Sequence, residues 1–157
     1  MRFKGKPGIV YTARDAAHKR LYTTIERDVP LPLSLHNQIL YYAGPTPPRP
    51  GMAIGSISPT TGSRMDMYTP LSIERGGLRG MIGKGNRGPQ VVAAMKKFKC
   101  VYFAATGGAA ALLSRYIVQA RIVCYEDLKT EAIHELEVRD FPVFVAIDIY
   151  GENLYDR

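Results

Sequence analysis

Four of the eight residues at positions 44–51 are proline (Pro45, Pro47, Pro48 and Pro50), and neither a helix interior nor a central strand runs through such a segment. It is predicted to be a stiff, extended crossing, so regular structure must form before and after it. Before it, Thr12 reads as a helix cap with Asp15 three positions on, and Ala17, Leu21 and Ile25 follow at helical spacing. Residues 28–37, with Pro30 and Pro32, read as a connector. Ile39, Leu40, Tyr41 and Tyr42 form a β-branched and aromatic run expected to be a buried strand. After the crossing, strands are expected at 52–54, 78–82, 101–105, 117–125 and 143–149. Helices are expected over 65–75, interrupted at Pro70 and stopped by Gly76 and Gly77, then from Pro89 with Val91, Val92 and Met95 behind it, and over 109–116. Residues 130–138 fit either a helix or a strand. Strands alternating with helices predict a mixed α/β fold, and 157 residues suit one domain spanning 1–157.

No stretch approaches the roughly 20 uninterrupted apolar residues of a spanning helix. Arg14 and Asp15 come too early for a secretory signal, so a cytoplasmic protein without a membrane role is expected. The net charge of +7 raises nucleic acid as a partner, and a basic anion- or nucleic-acid-binding module without catalysis is the alternative reading. The basic residues, however, are spread along the chain, and the densest group, Lys96, Lys97 and Lys99, sits at an expected helix end, where the dipole favours cations. Nucleic acid is therefore not expected as the primary partner. Cys100 and Cys124 fall in apolar strand contexts and read as reduced core thiols. With no CxxC, and with His18, His36 and His134 scattered, no metal site is expected from this chain's own residues.

Three loops concentrate polar and flexible residues. The first holds Arg14, Asp15, His18, Lys19 and Arg20. Lys19 and Arg20 suit a solvated helix face, whereas Arg14 falls in the expected first turn, where a cation opposes the dipole; a residue set against its local rule is a functional candidate. The second strings Ser58, Thr60, Thr61 and Ser63 into Arg64 and Asp66. Hydroxyls suit a helix cap, and together with a guanidinium fork they suit carboxylate or phosphate recognition. The third, Gly83-Lys84-Gly85-Asn86, puts a lysine between two glycines but lacks the P-loop pattern, and an incidental lysine in a glycine turn reads equally well. Gly107, Gly108 and Ala109 suit either an anion-binding helix start or close strand–helix packing. Residue physics by itself reaches an anion-binding α/β domain with no complete catalytic set.

The same loops resemble, in order and over nearly the whole chain, the β subunit or C-terminal domain of class I iron–sulfur fumarases and L(+)-tartrate dehydratases. The stretches that carry the resemblance are Tyr11-Thr12-Ala13-Arg14-Asp15-Ala16-Ala17-His18-Lys19-Arg20, Tyr41-Tyr42-Ala43-Gly44-Pro45-Thr46-Pro47, and Gly55-Ser56 with Pro59-Thr60-Thr61-Gly62-Ser63-Arg64-Met65-Asp66. Met81-Ile82-Gly83-Lys84-Gly85-Asn86, Gly107-Gly108-Ala109-Ala110 and Val138-Arg139-Asp140-Phe141-Pro142-Val143-Phe144 complete it. The resemblance implies a swivelling β/β/α domain and reversible addition of water to a C4 dicarboxylate, fumarate to malate or the dehydration of tartrate. It implies a 4Fe–4S cluster held by a partner α subunit, with this chain inactive alone. It casts Arg14, Arg64 and Lys84 as clamps on the substrate carboxylates and Thr60 as the base, with Asp15, His18, Thr61 and Asp66 in support; Asp15 and His18 would orient Arg14 or bridge the subunits. The family commonly has Ser-Gly after the paired threonines where this sequence has Gly62-Ser63, and the kept spacing from Thr60 to Arg64 predicts a kept geometry.

Overall fold

In the computed structural model, which describes residues 7–106 and 110–157, four parallel strands form the middle of one sheet: β1 (Gly8–Thr12), β2 (Ile39–Tyr41), β3 (Gly80–Gly83) and β4 (Val101–Ala104). β5 (Ile117–Cys124), β6 (Ile133–Val138) and β7 (Phe144–Ile147) extend it antiparallel, in the order β5-β6-β1-β2-β3-β4-β7. Parallel neighbours need crossovers that cover a face of the sheet. Helices α1 (Asp15–Glu26), α2 (Thr69–Glu74) and α3 (Pro89–Phe98) supply that cover, burying Leu21, Ile25, Ile73, Val91 and Met95 in one core with Tyr42, Met81 and Tyr102. The other face is closed by Ile54 and Ile57, by Leu113 of the short α4 (Ala110–Leu113), and by Phe141 and Val143, packed on Val10, Tyr41, Ile82 and Leu136. This is the expected mixed α/β architecture.

Local expectations hold where tertiary contacts agree with them. Ala17, Leu21 and Ile25 are buried at helical spacing, and Tyr41 and Tyr42 are fully buried. Gly77 takes a φ of +76 where α2 stops, and Lys99 closes α3 in the left-handed region behind Lys96 and Lys97. Cys100 is a core thiol pushed up to about 12 by burial, while Cys124 packs against the core but stays half-buried.

Four expectations are corrected. Thr12 caps no helix: it ends β1, and its hydroxyl accepts from His134 N at 3.0 Å and donates to Ala132 O at 3.3 Å, stitching β1 to the start of β6. Arg14 therefore stands one place before α1, as its N-cap with extended backbone, rather than inside the first turn. Residues 52–54 form no strand, because Met52 N turns back to Arg49 O and Gly55 N bonds Thr46 O, so the backbone is satisfied by the crossing itself. Pro70 does not interrupt a helix from 65; it lies in the first turn of α2, after a separate 3-10 turn at Gly62–Met65. Residues 130–138 resolve as strand β6, paired with β1 through Val10 and Leu136.

Candidate functional site

Register places three of the loops side by side. Thr12 aligns with Tyr41, and Tyr41 with Ile82, so the residues just past β1, β2 and β3 emerge at one edge: Arg14, Gly44 and Lys84. Crevices beyond the carboxyl ends of parallel strands are where open α/β sheets bind ligands. The 58–64 loop lies across this edge like a further strand. Thr60 N donates to Tyr42 O at 2.6 Å, Lys84 N to Thr60 O at 3.3 Å, and Gly62 N to Lys84 O at 2.8 Å, so Thr61 bridges Lys84 in parallel.

The result is an open pocket of about 320 Å³ that has Arg14, Thr60, Thr61, Arg64 and Lys84 on its wall together with Thr46 and Ser56. The structure thus brings together the expected clamps and the expected base. Arg14 reaches the pocket because Gly44 leaves a lane for it: a Cβ at Gly44 would stand 3.1 Å from Arg14 Cδ and 2.7 Å from Thr130 O. The Arg14 Nε is buried with no hydrogen-bond acceptor among the described residues, a donor left to be satisfied. Asp15 turns to Arg64 rather than to Arg14. Its Oδ2 accepts from Arg64 Nε at 3.1 Å and from the terminal nitrogen at 2.6 Å, which fixes the fork on the pocket rim. Three cations against one carboxylate leave the pocket positive.

His18 supports Arg14 from below. Arg14 O can only accept, so His18 Nδ1 carries the proton and donates to it at 2.9 Å, alongside His18 N at 2.9 Å. Burial lowers the His18 imidazole to about 4, so it is neutral at physiological pH and acts as an anchor. Thr61 contributes the backbone bridge to Lys84 and a place on the pocket wall. Asp66 points under the loop: its Oδ1 accepts from Arg87 Nε at 2.7 Å and its Oδ2 from Gly88 N at 2.7 Å.

Arg87 is the residue that sequence reasoning missed. Its side chain is fully buried, with the guanidinium 5.1 Å from the Tyr42 ring centre and 4.8 Å from that of Tyr102, and it also donates to Thr69 Oγ1 at 2.9 Å. Tyr42 is the residue whose carbonyl holds Thr60, and the Tyr102 hydroxyl donates to Gly85 O at 3.0 Å, so this stack underlies both the threonine loop and the lysine loop. Gly62 closes over it, since a Cβ there would meet Tyr102 Oη at 2.5 Å and Arg87 Cδ at 2.9 Å. The only local hint was an arginine between Asn86 and Gly88 just before a helix-starting proline. Gly107, Gly108 and Ala109, read as either an anion-binding helix start or close strand–helix packing, lie outside the described residues.

Residues 6–157 match the family model described as "Fumarase C-terminus". The chain is 38% identical over 151 residues to Fumarate hydratase 2 of Leishmania major, covering 96% of this chain and 27% of that protein. It is 34% identical over 155 residues to a putative L(+)-tartrate dehydratase subunit beta of Methanocaldococcus jannaschii, covering 96% of this chain and 80% of that one. Against the L(+)-tartrate dehydratase subunit beta of Escherichia coli the identity is 32%, with 94% and 74% covered. The chain therefore spans about a quarter of the length of the fumarate hydratases it matches and most of the length of the tartrate dehydratase subunits.

Proposed function

This chain belongs to the fumarase C-terminus family, a family of hydro-lyases, and from that premise we propose that it supplies one wall of a hydro-lyase site acting on a C4 dicarboxylate. The reaction is the reversible hydration of fumarate to malate, with tartrate dehydration as the other member of the same class. The observation that carries this reading is one positive pocket in which Arg14, Thr60, Arg64 and Lys84 all reach the wall.

Each carboxylate of a diacid needs a charge-assisted partner, and a guanidinium meets it through two parallel N–H bonds. Arg14 and Arg64 are the forks and Lys84 the point charge. With the diacid held, the Thr60 oxygen, as its alkoxide, takes the proton from the carbon next to a carboxylate and returns to the hydroxyl. Hydroxide leaves the neighbouring carbon toward the half of the site this chain does not supply. A threonine hydroxyl is a weak base, and it serves here because the cations around it favour its deprotonated form and also the negative charge that builds on the substrate carboxylate. Asp15 keeps Arg64 pointing at the rim. Holding the reacting carbon against Thr60 contributes further, since fixed geometry removes much of the entropic barrier.

An iron–sulfur cluster fits no donor set of the described residues, where no group of three or more His, Cys, Asp or Glu side chains converges and Cys100 is held as a neutral core thiol. The cluster implied by the resemblance is therefore proposed to sit on a partner α subunit, with this chain inactive alone. No helix among the described residues is long and apolar enough to cross a membrane. The test is an anaerobic pull-down through a tag on this chain, with iron analysis and assays on fumarate, malate and tartrate. A brown, cysteine-bearing partner with hydro-lyase activity supports the reading and names the substrate. Full-rate hydration by the isolated, iron-free chain would refute the divided site, and a colourless eluate rich in nucleic acid would favour the basic binding module.

A further inference from the structure

Lys84 stands between Gly83 and Gly85, and glycine restrains its own backbone less than any other residue, so the direction of the ammonium depends on what grips the loop. On one side the grip is the threonine loop, through Lys84 N to Thr60 O at 3.3 Å and Gly62 N to Lys84 O at 2.8 Å. Beyond it Gly85 turns at a φ of +78, and its carbonyl accepts from the Tyr102 hydroxyl at 3.0 Å. The last grip comes from the far end of the chain. Asn153, only 8% exposed, donates through Nδ2 to Asn86 Oδ1 at 2.9 Å.

Backbone groups fix the orientation of both amides. Arg87 N donates to Asn86 Oδ1 at 2.8 Å and Tyr155 N to Asn153 Oδ1 at 3.0 Å. A backbone N–H only donates, so each contact identifies an oxygen, and the Asn153 nitrogen is left facing the Asn86 oxygen. A tight turn delivers Asn153 to this place. Asp148 Oδ1 accepts from Tyr150 N at 2.8 Å and Glu152 N at 3.0 Å, Gly151 takes a φ of +83, and Asn153 returns antiparallel beside Ile147 of β7. β7 pairs with β4 and β4 with β3, whose last residue, Gly83, precedes Lys84. Neither Asn86 nor Asn153 reaches the pocket wall.

We propose that Asn153 is a positioning residue for the site, acting through Asn86 to hold Lys84 against the pocket. The proposal rests on the reading of the pocket as a dicarboxylate site. Asn153 touches no ligand, so its effect on binding passes through Lys84 and disappears where Lys84 has no charge to place. A residue that merely closed the end of the chain would act on stability and leave no coupling to Lys84.

A double-mutant cycle reads that coupling. Succinate, a saturated diacid with no water to lose, is titrated by calorimetry into the assembly isolated through a tag on this chain. The four forms are wild type, Asn153→Ser, Lys84→Ala and the double variant, and Arg14 and Arg64 keep binding measurable when Lys84 is gone. Serine is as good a cap as asparagine and keeps an oxygen for Tyr155 N, but it is too short to reach Asn86. Asn153→Ser is expected to weaken succinate binding about three- to thirtyfold, and to change it less than about twofold in the Lys84→Ala background. Where Asn153→Ser fails to fold, Asn86→Ala removes the same bond from its exposed end and is expected to show the same coupling. Variants that bind succinate as wild type does, or that lose the same factor with and without Lys84, overturn the inference and leave the dicarboxylate reading standing. A wild type that binds no succinate sinks both.

Discussion

Arg87 Nε donates to Asp66 Oδ1 at 2.7 Å with the arginine side chain wholly out of solvent, so the charge pair sits beneath the pocket rather than in it. Breaking a buried pair by removing one partner strands the other charge and typically costs about 3–5 kcal/mol. Asp66→Ala is expected to destabilise the fold by that order, read as a shift of the urea midpoint. Because Tyr42 and Gly85 both rest on the same stack, Arg87→Met is expected to lower turnover as well as stability. An Asp66→Ala variant within about 1 kcal/mol of wild type would show that the pair is not a keystone of the loops.

Gly62 should tolerate no side chain. Its Cβ direction is blocked by the buried Tyr102 hydroxyl at 2.5 Å and by Arg87 Cδ at 2.9 Å, and neither has room to retreat. Overpacking of this kind costs about 1–3 kcal/mol. Gly62→Ala is expected to lower the thermal midpoint, and Ser63→Ala, at an exposed position, to leave it near wild type.

The charges on the pocket wall were legible as anion-binding candidates, Arg64 from the four hydroxyl residues before it, whereas Lys84 between Gly83 and Gly85 read equally as incidental until the resemblance cast both as clamps. Arg87 was not, because nothing local distinguishes an arginine that will be buried from one that will be solvated. Its burial is decided by Asp66, Thr69, Tyr42 and Tyr102, which only the folded sheet brings to it. The same limit explains Thr12, where a strand partner in β6 outcompeted the helix for the hydroxyl. It also explains β6, whose helix-or-strand ambiguity is settled by pairing with β1 and β5.

The buried His18 should give the fold a pH dependence of known sign. Its folded pKa is lowered to about 4 from 6.5, by burial. The unfolded chain therefore binds a proton first as pH falls, so the stabilising term is complete above 6.5 and is lost between 6.5 and about 4. The shift corresponds to a loss of about 3 kcal/mol across that window. His18→Gln is expected to be less stable at neutral pH and to show a shallower decline, measured by urea unfolding in steps from pH 7.5 to about 4. Parallel curves for variant and wild type would rule out His18 as the source.

Arg64 and Asp15 should separate binding from stability. Their ion pair is about half exposed, and such pairs contribute roughly 0–1 kcal/mol to folding. Arg64→Ala is expected to leave the unfolding midpoint near wild type and to reduce kcat/KM of the assembled enzyme about 100-fold or more. Asp15→Asn keeps one acceptor for the guanidinium and is expected to raise KM with a smaller fall in kcat. An Arg64→Ala assembly with wild-type kinetics would remove this arginine from the clamp.

Thr60 offers the sharpest separation of chemistry from structure. Its amide donates to Tyr42 O at 2.6 Å and its carbonyl accepts from Lys84 N at 3.3 Å, so the backbone alone seats the loop. The half-buried side chain lines the pocket, and no hydrogen bond given for the described residues uses its hydroxyl. Thr60→Ala is accordingly expected to keep the unfolding midpoint and the KM, and to lose about 10²–10⁴-fold in kcat, the range for a missing acid–base group. Thr60→Ser should recover part of it, because the oxygen returns without the methyl that orients it. Exchange of the substrate's carbon-bound hydrogen with D₂O reads the proton-removal step directly. A Thr60→Ala assembly that still exchanges at the wild-type rate would transfer the role of base to the other half of the site, leaving Thr60 as part of the wall against which Arg64 and Lys84 hold the diacid.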